Sequence, residues 1–324
     1  MDRIVTLTLN PALDASTEVP ALMPDAKLRC GPVRREAGGG GVNVARAIAA
    51  LGGAALALHA VGGPTGAIIQ ACLEQEGVPQ RPLFISGTTR ENLAVLDRSS
   101  GERFRFVLPG PPMSRSEWRR CLDAAVAAAE GPYLVASGSL PPGVPADFYS
   151  RLASALEPSG TRLLLDCCGA PLRAALAGGV HLVKPNYREF DELMAREQTD
   201  AERERSAARL VADGRAEVVI VTLGSRGALL VSGTERALIP APPVSRAESP
   251  VGAGDSFMAG LALALASGRE LADACAFGVA AAAAAIMTPG TEPCRRDDVE
   301  RLAGEMGRRD ASAGRTTSTM EVLR

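Results

Sequence analysis

Between residues 133 and 222, short apolar runs alternate with longer amphipathic ones, and each apolar run ends on a polar residue. The runs at 133–136, 162–165, 181–183 and 218–221 read as strands, and the stretches 117–130, 146–156, 171–177, 186–196 and 201–213 as helices. Such βαβα repetition implies a mostly parallel sheet flanked by helices, because parallel neighbours need a crossover between them. It also constrains where a ligand binds, since open parallel sheets take ligands at the carboxyl ends of their strands. Polar residues gather at those ends: Asp14 just beyond a first strand at 3–9, then Ser139, Asp166, Lys184, Asn186 and Thr222.

The remaining segments fit around this core. A helix is expected over 67–76, an extended piece starting at 84, and a hairpin at 229–239. Residues 15–37, interrupted by Pro20, Pro24 and Pro32, and residues 84–108, with two strands about the turn 98–101, read as excursions that form a small separate sheet. Two alanine-rich helices over 256–267 and 271–287 and a last helix over 295–307 complete the pattern. The six alanines at 280–285 suit close helix packing and also leave a flat surface for an adenine ring. One domain over 1–307 is expected, with 308–324 as a disordered tail, polar and patternless.

Composition narrows the function classes. Lys+Arg 35 against Asp+Glu 37 leaves a net charge of −2 on 324 residues, which argues against a nucleic-acid partner held by bulk electrostatics. No apolar run reaches the ~18–20 residues that span a bilayer. The first residues lack the basic-then-apolar pattern of a secretory signal. A soluble, cytoplasmic protein with no membrane partner is expected. The 7 cysteines contain no Cys-x-x-Cys pair, and His59 and His181 stand alone, which argues against a zinc site or a disulfide framework. Only two lysines occur, Lys27 and Lys184, in a chain that otherwise uses arginine. A compact ammonium differs from a planar guanidinium, so each lysine invites a specific reason.

Two glycine clusters open helices. Gly38 to Gly41 precede a helical pattern over 42–51 with Asn43 in its first turn, and Gly252-Ala253-Gly254-Asp255 precede the pattern over 256–267. The dinucleotide spacing fails in both, with Val44 and Phe257 standing where the last glycine belongs. A Walker A loop is excluded because neither lysine follows a glycine. Small residues at 252–254 leave backbone N–H groups bare at a helix start, which suits a phosphate. Asp255 beside them is either an N-cap residue or a base for an acceptor hydroxyl.

Three motifs occur in order: GGGGVNVAR at 38–46, N-x-x-E from Asn186 to Glu189, and VGAGDSF at 251–257. Together they resemble the signatures of the ribokinase-like, or PfkB, carbohydrate kinases, and the similarity runs from about residue 3 to about residue 306. The resemblance implies an α/β fold, the ribokinase-like three-layer arrangement with a mostly parallel central sheet and a small β-sheet lid. TLTLNPALD (6–14), KLRC (27–30), SGSLPPGV (137–144), LVKPN (182–186) and APPV (241–244) are similar to the branch of the family that phosphorylates fructose 6-phosphate at its 1-hydroxyl. Relatives acting on tagatose 6-phosphate or fructose 1-phosphate typically carry a lysine within the first glycine cluster, and this chain has none there. Kinases of those two sugars are the alternatives, with a non-catalytic sugar-phosphate sensor as the rival of a different class.

The same resemblance implies roles. Asp255 is the base, and the N–H groups of Gly252, Ala253 and Gly254 hold the charge on the transferred phosphoryl group. Asp14, Gly39, Gly40, Asn43 and Ser139 orient the sugar, and Lys27, Arg90 and Arg105 take its phosphate. Lys184, Asn186 and Glu189 stand near the ATP phosphates and Mg²⁺, Glu189 acting through water, while Thr222, Gly224 and Gly227 border the nucleotide. A homodimer through the lid is implied. K⁺ is a further cofactor in such kinases, but Pro250 replaces a usual Thr and Thr288-Pro289-Gly290 replaces a usual Asn-containing turn, so the K⁺ expectation stays open.

Overall fold

The computed structural model describes residues 3–244, 247–249 and 251–320, with side chains as far as Arg308. The chain opens with β1 (Ile4–Thr8), leaves for β2 (Ala12–Val19) and β3 (Arg34–Gly38), and returns through α1 (Gly40–Ala50), β4 (Ala55–Val61), α2 (Gly63–Gln75) and β5 (Gln80–Phe84). It leaves again for β6 (Arg90–Asp97) and β7 (Arg103–Phe106). Then come α3 (Arg115–Ala128), β8 (Tyr133–Ser137), α4 (Phe148–Leu156), β9 (Arg162–Asp166), α5 (Gly169–Gly178), β10 (Val180–Val183), α6 (Tyr187–Leu193), α7 (Asp200–Ala212) and β11 (Ala216–Thr222). A hairpin of β12 (Ala228–Ser232) and β13 (Arg236–Ile239) leads to α8 (Ala253–Ala266), α9 (Leu271–Ala285) and α10 (Arg296–Met320).

Nine strands form one sheet in the order β13-β12-β11-β10-β9-β8-β1-β4-β5, parallel from β11 to β5 and antiparallel at the β12 and β13 edge. The chain goes from β1 outward to β4 and β5 and then crosses to β8 on the other side of β1. The order therefore reverses between β1 and β8, and a crevice opens at such a switch point. Side chains alternate across the sheet. Val5, Leu7, Leu134 and Leu165 pack under α3, α4 and α5, while Ile4, Val135 and Leu164 pack under α1, α8 and α9. Both faces are covered, which is why these strands are apolar throughout rather than alternating.

The second sheet has the order β3-β2-β6-β7. β2 and β6 run parallel in the register Asp14↔Asn92, and β7 closes on β6 with Ala94↔Arg105. Strand periodicity then gives this sheet one face carrying Asp14, Asn92, Arg103 and Arg105 and another carrying Leu93, Phe104 and Phe106.

Several boundaries differ from the sequence expectation. β5 occupies 80–84, whereas the extended piece was expected to start at 84. Pro82 conceals it: proline cannot serve a central strand, but β5 is an edge strand pairing only with β4. α2 begins at Gly63, because Pro64 in a first turn costs no hydrogen bond. The final helix runs on to Met320, past Gly307 where the apolar pattern stops, and residues 321–324 lie outside the described ones. Loss of apolar periodicity reports loss of packing, and with no proline after residue 307 nothing in the backbone forbids helix there. His59 is a core histidine between β4 and β5, bonded through Nε2 to Gln80 at 2.9 Å, and burial pushes its pKa down to about 4. Among the described residues, no helix is long and apolar enough to cross a membrane.

Candidate active site

The first intrahelical bond of α8 runs from Ser256 N to Gly252 O at 2.8 Å, so the N–H groups before Ser256 have no partner within the helix. Gly252 is the N-cap, with φ +80° in the left-handed region that glycine tolerates. Asp255 is therefore not the N-cap; it stands in the first turn, and its carboxylate accepts Asn43 Nδ2 at 3.0 Å. The capping alternative for Asp255 fails on this geometry. The helix also starts earlier than its apolar pattern, which places 253 and 254 inside the first turn.

Asp255 is only partly exposed. Burial raises its carboxyl pKa first, and repulsion from Asp166 raises it further, against the Asn43 hydrogen bond and the Lys184 charge; the result is about 7. Lys184, 3% exposed, follows β10, and Asp166 ends β9. Their ion pair measures 3.2 Å. A methyl group built on Gly254 would lie 3.6 Å from Lys184 Nζ, so the ammonium stands at the open end of α8.

Asn186 caps α6 reciprocally with Glu189: its side chain accepts the Arg188 and Glu189 N–H groups, and Glu189 Oε2 accepts Asn186 N–H at 2.8 Å. Burial and the nearby Asp166 push the Glu189 carboxyl up, while the Asn186 N–H and Lys184 pull it down. The N-x-x-E spacing is thus a helix cap first. It also leaves a carboxylate close enough to Asp166 and Lys184 for their charges to act on it.

Two clefts meet at α8. One, about 910 Å³, is lined by Asn186, Thr222, Gly224 and Gly227 on one side and by Ala253, Gly254, Phe257, Ala282 and Ala283 on the other. Of the six-alanine run, five residues are buried in the helix layer, and Ala282 together with the buried Ala283 borders this cleft, so both readings of that run hold in part. The other cleft, about 200 Å³, lies under the small sheet between Asp14, Arg103, Arg105 and Val251. Burial raises the Asp14 carboxyl, against Asn92, Arg105 and Arg90. Asn92 Nδ2 donates to Asp14 at 2.8 Å. A third cleft of about 950 Å³ opens at the opposite ends of the strands, by Tyr133, Arg162 and Val180, away from the polar strand ends.

The first glycine cluster has a packing reason. A methyl group on Gly40 would lie 2.1 Å from Ser137 Oγ, and one on Gly41 2.5 Å from Leu7 O, so α1 abuts the ends of β8 and β1 directly. Gly39 is the N-cap of α1. Asn43 keeps a buried Oδ1 without a partner beside its bond to Asp255, an acceptor left over at the base.

Two residues expected at a phosphate are placed differently. Arg90 sits near Asp14, but its guanidinium donates to the carbonyls of Asn10 at 2.9 Å, Leu108 at 3.1 Å and Pro11 at 3.4 Å. It braces the crevice, and its donors are largely committed. Lys27 is exposed on the segment between β2 and β3 and is not among the residues lining the Asp14 cleft. The run 15–37 holds too few apolar residues to bury that segment in a core, so a single subunit does not bring Lys27 in. Ser139 is exposed at the end of β8 and accepts Asn10 Nδ2 at 3.0 Å. Sequence reasoning missed Asn10, Asn92 and Arg103. The period-2 pattern of 90–97 and 103–106 carried the signal for the last two. Pro250 lies outside the described residues. Thr288 is buried, its hydroxyl donating to Ala285 O or Glu292 O.

Residues 7–298 match the model of the pfkB family of carbohydrate kinases. The ATP-dependent 6-phosphofructokinase isozyme 2 of Mycobacterium tuberculosis is 45% identical over 93% of this chain and 88% of its own. The Escherichia coli protein of the same name is 43% identical over 95% of this chain and 100% of its own. The crystal structure of phosphofructokinase-2 from Escherichia coli in complex with potassium shares the fold at a TM-score of 0.90 and 42% identity, covering 95% and 100% of the two chains. That protein has also been solved with fructose-6-phosphate, at a TM-score of 0.88 and 41% identity over the same shares, and in a tetrameric inhibited form. A 1-phosphofructokinase of Xanthomonas campestris is 34% identical over 84% of this chain and 87% of its own.

A base works only when ionised. If Asp255 takes the acceptor's proton, then with its carboxyl at about 7 kcat/KM should rise about tenfold per pH unit below that value and level off above it. Asp166→Asn removes a repelling charge and moves the midpoint down; Asn43→Ala removes a donor to the carboxylate and moves it up. A pH–rate profile whose midpoint ignores both substitutions assigns the proton to another group.

Proposed function

The chain belongs to the pfkB family of carbohydrate kinases, and from that premise we propose that it transfers the γ-phosphoryl group of ATP to the 1-hydroxyl of fructose 6-phosphate, giving fructose 1,6-bisphosphate and ADP. The observation that carries this reading is the open N-terminus of α8 at the meeting of two clefts: Val251 borders one, Ala253 and Gly254 border the other. ATP takes the larger cleft, its adenine against Ala282 and Ala283. The sugar takes the smaller, held by Asp14, with Arg105 and the neighbouring Arg103 facing its phosphate; Gly39, Asn43 and Ser139 lie outside that cleft's lining, by the ends of β1 and β8 and at Asp255, and orient the end that carries the 1-hydroxyl. The 1-hydroxyl oxygen attacks the γ-phosphorus as Asp255 accepts its proton, and the N–H groups of Gly252, Ala253 and Gly254 stabilise the charge on the phosphoryl oxygens. Lys184 offers a compact positive charge to the same oxygens.

Mg²⁺ fits the donor set. Glu189 and Asp166 supply carboxylates beside Lys184, and the described residues hold no cluster of three His, Cys, Asp or Glu side chains that would cage a metal alone. A magnesium that keeps its waters and rests on phosphate oxygens suits that arrangement. When bound it neutralises charge on the phosphates. K⁺ finds a donor in Thr291, whose Oγ1 is buried without a partner beside Ser249 and Val251. We read residues 12–38 and 90–106 as the lid. Its outer face exposes Leu93 (39%), Phe104 (38%) and Phe106 (49%), an apolar patch that a second subunit would cover in a homodimer.

Four outcomes test this reading. Asp255→Asn lowers kcat by roughly 10²–10⁴-fold while the Kd for ATP stays within a few-fold, measured by coupled ADP release and by titration. Undiminished turnover would sink the assignment of the base. Fructose 6-phosphate exceeds tagatose 6-phosphate and fructose 1-phosphate in kcat/KM; a clear lead for fructose 1-phosphate would overturn the substrate. Replacing K⁺ by a bulky organic cation lowers kcat in the parent chain and has less effect in Thr291→Val, and equal rates in both salts would remove K⁺ from the mechanism. Phe106→Glu converts a dimer to a monomer by light scattering, whereas a parent chain that is already monomeric refutes the lid interface.

A further inference from the structure

We propose that Asn10 is a positioning residue for the acceptor sugar, acting through Ser139: its amide fixes the Ser139 hydroxyl and seats the segment that returns from the lid. The proposal rests on the reading of Ser139 as a sugar-orienting group. Asn10 follows β1 at the point where the strand order reverses, 8% exposed. Its Nδ2 donates to Ser139 Oγ across 129 residues of sequence, at 3.0 Å. An oxygen that accepts there keeps its own proton free, and Ser139 is exposed at the end of β8. The hydroxyl hydrogen is therefore free to be donated elsewhere than to Asn10, including to a bound sugar.

The other end of the amide is unusual. Asn10 Oδ1 is buried and has no partner. An asparagine kept only to end a strand would have both ends of its amide satisfied, because an unmet buried acceptor costs stability. Gly110, itself buried, packs against this oxygen so closely that a methyl group on it would lie 2.1 Å away. Gly110 lies on the segment from β7 to α3, the way back from the lid. The main-chain oxygen of Asn10 accepts Arg90 from the lid at 2.9 Å, and Arg90 also donates to Leu108 O at 3.1 Å on that same return segment. One residue thus touches the floor of the acceptor site, a lid arginine and the lid's return. A position of the lid and the orientation of Ser139 are set together.

The experiment is a double-mutant cycle read in kinetics with the full chain. Asn10→Ala and Ser139→Ala each raise the KM for fructose 6-phosphate about tenfold and leave the KM for ATP unchanged, and the double variant is no worse than the worse single one. Asn10→Asp keeps the shape, loses the N–H donor, and matches Asn10→Ala in KM. Gly110→Ala presses on the same amide from outside and raises the same KM, so the test stands even where Asn10→Ala folds poorly. If Ser139→Ala is silent, the role given to Ser139 fails and this inference with it. If Ser139→Ala acts but the two effects multiply, the inference alone fails. An equal rise in the KM for ATP, or a wild-type KM in Asn10→Asp, makes Asn10 merely structural and overturns it.

Discussion

Two carboxylates, Asp166 and Asp255, share the neighbourhood of one buried ammonium, Lys184, and the rest of the site depends on that balance. The open end of α8 favours a charged Asp255, as helix N-termini favour anions. Burial and Asp166 oppose it. The Asn43 hydrogen bond and, after it, the Lys184 charge limit how far the opposition goes, and taking away one partner of a buried ion pair typically costs ~3–5 kcal/mol. The sheet makes the arrangement possible. Val183 pairs with Leu165 in the parallel register, so the residues that follow, Lys184 and Asp166, emerge side by side. Lys offers a point charge that fits under Gly254, where an arginine fork would need more room.

The same register logic explains why two ligands meet at one helix. The reversal between β8 and β1 opens the sheet, and α1 enters that gap on glycines that allow contact with Ser137 and Leu7. α1 carries Asn43 to Asp255. α8 then arrives with Val251 in the cleft below the small sheet and Gly254 in the cleft between β11 and α9. On the proposed reading, a base on α8 between the two clefts would face both ligands without moving, the positioning that phosphoryl transfer demands.

Much of this was legible in the chain. Apolar runs ending at Asp166, Lys184 and Thr222 revealed the sheet and its ligand side, because strand ends can be read locally. The glycine clusters revealed two helix starts. What could not be read depends on distance in space. Asn10 appears as a strand terminator until Ser139 and Gly110 are brought to it from far along the chain. Arg90 looks like an open cation until its donors are found on carbonyls of three other residues. Asp255 had two local readings, and only the bond to Asn43 together with a cap at Gly252 separates them. β5 was hidden by Pro82, since nothing local says that a strand lies at an edge.

The small sheet joins these threads. A strand shows alternate residues to alternate faces, so Arg103 and Arg105, which line the Asp14 cleft, lie on the face opposite Phe104 and Phe106, although Phe106 at the end of β7 also borders the cleft. On the proposed reading, the charge offered to a sugar phosphate and the apolar surface offered to a second subunit come from the same short strand. Any shift of β7 that tightens the cleft also moves the outer face. A subunit docked there would resist or favour that shift, which is how assembly and sugar binding would be coupled on the proposed reading.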